Sequence, residues 1–470
     1  MLTKNDIAKI KNGENGELLK LLNPNRDSFS LIFILDNLGR LPRDLDGQFF
    51  VPLTKHKNDK VRLLAVKNIG KLSSEKYLEV LDEISANDEN TMIRREAISS
   101  IGRMRSRRTI PTLKKKLKDP DPKVVLQAIR GLLVFKGIPE VSEALYELKE
   151  HPNELIQSVI EKEFSHAEKR NSPKQLHAES PQYLKNVVVN SDVLKVLSIV
   201  PDESIHLTFT SPPYYNARDY SIYQSYKEYL GFLRDVFKEV HRITKEGRFF
   251  ILNTSPIIIP RVSRQHSSKR YPIPFDIHPY LTEMGWEFID DIVWVKPEAS
   301  AKNRNAGFLQ HRKPLGYKPN AISEYLMVYR KRTHKLLDWN IRQYDHKTVQ
   351  ESKVLGKYET SNVWHIDPTF DKTHTAVFPL ELCHRVIRYY SYQGDLVFDP
   401  FGGSGTFGKA AYNLSRYFFL TELSKEYFNR IKENFQQSNL FSLKHPPKFF
   451  DFNQFKHLLK HLREATNDFD

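Results

Sequence analysis

The sequence predicts two unlike folds in one chain: an all-α helical-repeat solenoid, then a doubly wound α/β domain. Two observations carry this. Small or apolar anchors recur roughly every 31 residues through the first third. Beyond a polar stretch, short apolar strands alternate with amphipathic helices, the texture of a parallel sheet covered on both faces. At 470 residues the chain exceeds one compact domain, and two or three are expected.

Alignment of SLIFILDNLGRL (30–41), KVRLLAVKNIGKL (60–72), MIRREAISSIGRM (92–104) and KVVLQAIRGLLVF (123–135) superposes Ile34, Ala65, Ala97 and Ala128. Gly39, Gly70 and Gly102 keep one offset, and a weaker copy begins at Glu154. Second amphipathic stretches such as YLEVLDEISAND and VSEALYELKEHPN lie between the copies, so each unit reads as a helix pair closed by Asp, Asn or Pro turns. Such pairs bury their apolar faces against one another. NDKVRLLA (58–65) and DPDPKVVLQA (119–128) resemble HEAT repeats, which implies a HEAT-like helical repeat domain over residues 1–165. The run from Arg94 to Lys118 is rich in Arg and Lys, which suits either phosphate tracking or an ordinary solvated surface.

Residues 166–182, HAEKRNSPKQLHAESPQ, are polar, hold two prolines and read as a linker. In the α/β (Rossmann-like) domain, assigned to 183–437, the expected strands are HLTFT (206–210), RFFILN (248–253), FIDDIVWVK (288–296), YLMVYRK (325–331), DLVFDP (395–400) and RYFFLTE (416–422). LGFLRDVFKEVHRI (230–243) and PLELCHRVIRYY (379–390) have helical apolar spacing. Residues 438–470 are expected to form a C-terminal helical extension.

The net charge of +15 points to a polyanionic partner, nucleic acid ahead of membrane. Cys383 is the single cysteine, so no disulfide framework exists within one chain and a reducing cytoplasm is expected. The first residues lack an apolar signal core, and no stretch reaches twenty consecutive apolar residues, so no membrane partner is expected. His278, His311, His365 and His374 are scattered, and no metal site is expected.

Two motifs carry the chemistry. In GDLVFDPFGGSGTFGKAA (394–411), a strand runs into Asp399, Pro400 and Phe401, then a turn of Gly402, Gly403, Ser404 and Gly405, then a helix from Thr406. The glycines let backbone N–H groups approach a ligand closely. No Lys-Ser/Thr follows, so this is not a P-loop, and Asp399 and Pro400 occupy the start of a dinucleotide fingerprint. Glu422 ends the next strand, where an acid accepts both ribose hydroxyls. A glycine turn plus a ribose acid, without a phosphate-binding lysine, fits S-adenosylmethionine.

The second motif is Ser211-Pro212-Pro213-Tyr214, directly after the strand HLTFT. Two prolines fix φ and bring no N–H donors, so nearby carbonyls are free to accept. Tyr214 adds an aromatic face. Acceptors beside a stacking ring suit the exocyclic amino group of a nucleobase.

Together these motifs resemble the SAM-dependent DNA amino-methyltransferases of the β group, in which the SPPY-type motif precedes the cofactor glycines. The resemblance covers residues 185–437. It implies Ser211, Pro212, Pro213 and Tyr214 as catalytic, and Asp192 near the adenine. It implies cofactor contacts from KTHTAVFPLELCHRVI (372–387) through Thr373, His374, Ala376, Phe378 and Pro379. Asp399 to Thr406 and Glu422 complete the cofactor set.

Family members with Ser before the two prolines mostly modify cytosine N4, and those with Asp or Asn mostly adenine N6. Cytosine N4 in duplex DNA is the expected target, reached by base flipping, with adenine N6 the alternative. Methylation at C5 needs an attacking thiolate, whereas Cys383 lies within an expected helix. An RNA substrate and a catalytically inactive, nucleic-acid-binding scaffold are further alternatives. The resemblance further implies restriction–modification in a prokaryotic cytoplasm, at the nucleoid, with a cognate restriction endonuclease as a possible partner. Target reading is expected from 255–274, 299–319 and 332–364, which are basic or polar.

Overall fold

The computed structural model describes residues 3–11, 15–42, 45–165, 176–215, 223–259, 263, 265–266, 269–300, 314, 321–356, 358–369, 377–437 and 446–467. The chain divides into two compact units, Met1–Pro173 and Lys174–Asp470.

In the first unit the helices Asp59–Leu72, Thr91–Arg103 and Pro122–Leu132 lie side by side. A second row holds Leu78–Asn87, Ile110–Lys115 and Pro139–Tyr146. The turn residues of the repeat act as N-caps: Asn58 accepts from the Lys60 and Val61 N–H groups, Asn90 from Met92 and Asp121 from Lys123. Ala65, Ala97 and Ala128 are fully buried, which explains why a small residue recurs there. Glycine recurs for a related reason. A Cβ on Gly102 would stand 3.1 Å from the Gly131 Cα, so these two helices meet backbone to backbone.

The second unit is built on a nine-stranded sheet. Its strands are β1 (Val187–Asn190), β2 (Ile205–Thr210), β3 (Thr244–Thr254), β6 (Trp286–Val295), β7 (Ser323–Lys331), β8 (Val363–His365), β9 (Leu396–Asp399), β10 (Tyr417–Glu422) and β11 (Lys448–Asp451), in the order β11-β1-β10-β9-β2-β3-β7-β6-β8. β4 (Ile257–Ile259) and β5 (Lys269–Tyr271) form a separate hairpin. Only β7 runs antiparallel to its neighbours in the large sheet. One sheet face is covered by helices Tyr226–Ile243, Ile273–Glu283 and Phe452–Asn467, the other by Leu380–Tyr390, Thr406–Asn413 and Lys425–Gln437.

This topology has one reversal. From β2 the chain crosses by Tyr226–Ile243 to β3 on one side; from β9 it crosses by Thr406–Asn413 to β10 on the other. β2 and β9 are themselves paired, Leu207 with Val397 and Thr208 with Phe398. The crevice beyond their carboxyl ends is where an open α/β sheet binds ligands.

Two boundaries differ from the sequence reading. The stretch expected to be linker is tied into the second unit from His177, whose N–H donates to Gln343 Oε1 at 2.8 Å, and Ser180 Oγ donates to Ser204 O at 2.6 Å. Residues 448–451 of the expected helical extension form β11, which pairs with β1 before the last helix begins.

The amino edge of the sheet is held by a buried charge network. Arg248 pairs with Asp395, which also accepts from Tyr344 Oη and the Tyr392 N–H. Burial alone would raise the Asp395 pKa, but the Arg248 guanidinium holds it below the ordinary carboxylate value. His206, wholly buried beside it, is pushed down to about 3 by desolvation. Asp395→Ala would leave Arg248, only 1% exposed, without its counter-charge. We expect it to destabilise this unit by about 3–5 kcal/mol, read as a fall in its denaturant midpoint.

Candidate active site

Both chemistry-bearing motifs leave the same edge of the sheet, from adjacent strands. β2 ends at Thr210 and runs directly into Ser211, Pro212, Pro213 and Tyr214; β9 ends at Asp399 and runs into Pro400, Phe401 and the glycine turn. Neighbouring strands lie about 4.8 Å apart. The two exits are joined by a hydrogen bond, in which Thr210 Oγ1 donates to Asp399 Oδ1 at 2.6 Å. The same oxygen accepts the Phe401 N–H at 3.0 Å. Thr210 was not anticipated: a threonine closing a β-strand carries no local signal, and only the strand pairing brings it to Asp399.

The glycine turn is shaped by close approach. Gly403 and Gly405 take φ of +51° and +77°. A Cβ on Gly405 would sit 2.9 Å from Ile431 Cγ2, so both conformation and space require glycine. The Gly402 N–H donates to Thr421 O, and Ser404 Oγ lies 2.8 Å from Thr406 Oγ1 at the start of the following helix. Glu422 ends β10 and accepts from the Gly403 N–H and the Ser424 N–H, each at 2.8 Å. A carboxylate has about four lone-pair positions, so these two bonds leave acceptor capacity for a ribose.

Charge in this crevice favours a cation. Burial raises the pKa of Asp399 to about 7, helped by the nearby Glu422, against hydrogen bonds from Thr210 and Phe401 that lower it. Glu422 is likewise raised by burial. Two partly desolvated carboxyls side by side are relieved by a positive ligand and would repel a phosphate. The remaining anticipated residues divide into two groups. Asp192 caps the helix Val193–Leu197 by accepting from the Lys195 N–H, two residues beyond Asn190, which β1 pairs with Glu422. Phe378 stacks on Phe209 of β2 with centroids 4.5 Å apart, and Pro379 caps the helix Leu380–Tyr390. Thr373, His374 and Ala376 lie outside the described residues.

Tyr214 is half-buried, and its hydroxyl reaches Glu324 Oε2 at 3.4 Å. Hydrogen bonds with Ser211 and Ser255 also meet that hydroxyl. Burial and Glu324 hold the phenol well above its usual pKa, so the ring stays neutral. Glu324 is in turn paired with Lys296. Neither residue was singled out from sequence. Because β7 is antiparallel, its first residues stand at the carboxyl edge, and that placement is invisible without the topology.

The nucleophile question is closed for Cys383. It is fully buried on the core-facing side of the helix Leu380–Tyr390, and burial pushes its thiol well above the ordinary value. Among the described residues, no group of three or more His, Cys, Asp or Glu is arranged to hold a metal ion, and no helix is long and apolar enough to cross a membrane.

Of the segments expected to read the target, 255–274 contributes the β4–β5 hairpin, which packs Tyr271 against Tyr215 at 4.9 Å beside the site. Most of 299–319 lies outside the described residues. The segment 332–364 divides: its last residues, Val363 and Trp364, pair with the carboxyl end of β6. Its first part docks at the opposite edge: Asn340 Nδ2 donates to Gly247 O, and Tyr344 to Asp395. Gly247 stands seven residues before the end of β3, about 23 Å from the carboxyl edge at 3.3 Å per residue.

Residues 205–433 match the family described as DNA methylase, and residues 79–162 match HEAT repeats. The type II methyltransferase M.Cfr9I of Citrobacter freundii is 28% identical over 290 residues, covering 54% of this chain and 90% of that protein. The type II beta methyltransferase M.BslI of Bacillus sp. is 28% identical over 252 residues, which spans 51% of this chain but only 26% of that protein. Among solved structures, the PvuII cytosine-N4-specific DNA methyltransferase is 20% identical, with a TM-score of 0.41 over 59% of this chain and 98% of that one.

Proposed function

We propose that residues 174–470 are a DNA amino-methyltransferase that moves a methyl group from S-adenosylmethionine to cytosine N4 in duplex DNA. The observation that carries this reading is the Thr210–Asp399 hydrogen bond, which ties the SPPY exit to the glycine turn at the reversal of strand order. The DNA methylase match over 205–433 supports the same class.

The residues fit the cofactor. Glu422 has acceptor capacity for ribose hydroxyls, the glycine turn leaves room for close backbone approach, and two raised carboxyls favour a cation. Asp192, Phe378, Pro379 and the Asp399–Thr406 turn would hold the rest of it, joined by Thr373, His374 and Ala376. When bound, S-adenosylmethionine supplies a methyl already made electrophilic by its positive sulfur.

The chain then has three tasks. It holds an extruded base against the Tyr214 face, which base–aromatic stacks value at about 1–3 kcal/mol. The carbonyls of Ser211 and Pro212 accept from the N4 hydrogens, keeping the nitrogen lone pair free and aimed. Ser211 is a poor base, so its part is orientation; the amino proton leaves to solvent once the N–CH3 bond has formed. Placement of the reacting atoms therefore carries most of the rate. Ser211 in place of an acidic residue favours cytosine N4 over adenine N6.

The test is mass spectrometry of nucleosides from unmodified duplex DNA incubated with the full chain and S-adenosylmethionine. N4-methyldeoxycytidine is expected. N6-methyldeoxyadenosine would move the target to adenine, and no methylated nucleoside from any duplex tried would leave a binding scaffold.

A further inference from the structure

We propose that the outer face of the long-helix row in the first unit binds the phosphate backbone of duplex DNA. The repeat register makes this visible. Relative to the buried alanines Ala65, Ala97 and Ala128, four positions per helix lie away from the core as one helical stripe, all exposed except Leu63, Arg95, Ser99 and Leu126, which are half-buried. On Asp59–Leu72 they carry Lys60, Lys67 and Lys71. On Thr91–Arg103 they carry Arg95 and Arg103, and along Pro122–Leu132 and its continuation they carry Lys123 and Arg130. The other positions of the grid are Leu63, Met92, Ser99, Leu126 and Val134, with no acid among them.

Compensation on this face is partial. Arg103 bonds Glu96 at 2.7 Å and Arg95 meets Asp121 at 3.2 Å. Lys60, Lys67, Lys123 and Arg130 are exposed. A cavity of about 330 Å³ opens among Arg95, Lys123, Gln127 and Arg130, over an apolar floor. The two outer helices of the second row expose Glu79, Glu83, Glu140 and Glu143, while its middle helix and the turn after it expose Lys115 and Lys118.

Dimensions fit a duplex. Helices packed side by side are about 8–10 Å apart, so three span about 20 Å, or roughly six base pairs at 3.4 Å each. The recurring Lys and Arg positions would track phosphates without reading sequence. This inference borrows only the DNA partner from the function proposed above; it needs no methyl transfer.

The test measures binding of the full chain to a labelled mixed-sequence duplex by anisotropy at a series of KCl concentrations. The triple variant Lys67→Gln, Lys123→Gln, Arg130→Gln should lower the slope of log affinity against log salt by about 2–3, at roughly 0.9 per lost phosphate contact. Its affinity at low salt should fall about tenfold or more. The control Lys114→Gln, Lys115→Gln, Lys118→Gln removes equal charge from the second row and should leave the slope near wild type. An unchanged slope in the first variant overturns the proposal, as does an equal drop in both. A loss confined to RNA probes would overturn it in favour of RNA. Nucleoside analysis of the same variants separates the two readings: a wild-type chain that binds but never methylates refutes the transferase and leaves this face standing.

Discussion

Tyr214→Ala should bind S-adenosylmethionine with near wild-type affinity yet transfer its methyl about 10- to 100-fold more slowly. In the proposed reading the ring belongs to the base side of the site. Its hydroxyl is met by Glu324, Ser211 and Ser255. Losing a base–aromatic stack costs about 1–3 kcal/mol, and each 1.4 kcal/mol is a factor of ten in rate. Single-turnover kinetics at saturating cofactor, with calorimetry for the cofactor alone, would separate the two effects. Equal losses in both would place Tyr214 in the cofactor pocket and undo the assignment. Tyr214→Phe keeps the face but drops the hydroxyl, so it should lie between the two, nearer wild type.

Asp399→Ala should instead lose cofactor affinity, by about 100-fold. The substitution removes two hydrogen bonds made by one carboxyl oxygen, to Thr210 and to the Phe401 N–H. At about 1.5 kcal/mol each, the low end for bonds to charged groups, their loss amounts to roughly two powers of ten. Asp399→Asn sharpens the test, because an amide carbonyl can accept both bonds. It should recover most of the affinity if the carboxyl's task is to tie the two strand exits together.

The pH dependence separates tie from charge. Burial holds the Asp399 proton up to about pH 7. Below that the wild-type group is neutral, like the amide; above it, its charge faces a cationic ligand. Wild-type affinity should therefore rise as pH increases through about 7, while Asp399→Asn stays flatter. Full affinity in Asp399→Ala would sink the assignment.

Much of this architecture was legible because its signals are local. The six strands predicted from apolar runs all appear, since buried central strands are read from their own side chains. The repeat was legible from Ala65, Ala97 and Ala128, where packing space admits little else. The short edge strands β8 and β11 were not. Three or four residues such as VWH or KFFD become strands by pairing with a neighbour rather than by propensity.

The same division holds in the site. SPPY and the glycine turn announce themselves by proline and glycine, whose backbone demands are written in the sequence. Thr210, Glu324 and Lys296 acquire their roles from strands that meet across long separations. The segment beginning at 332 misled for a related reason. Its polar composition suited a DNA-facing loop, but Asn340 and Tyr344 carry it down to Gly247 and Asp395 at the far edge.

The bond between Thr210 and Asp399 spans 189 residues of chain. At translation rates of about 5–20 residues per second, the ribosome needs roughly 10–40 s to supply the second partner after the first. Throughout that interval the nascent polypeptide carries the Ser211–Tyr214 exit without the glycine turn it is tied to. Under the function proposed above, newly made protein would be silent toward the chromosome until nearly all of it has emerged, and a stop before residue 399 would yield a product that cannot methylate DNA.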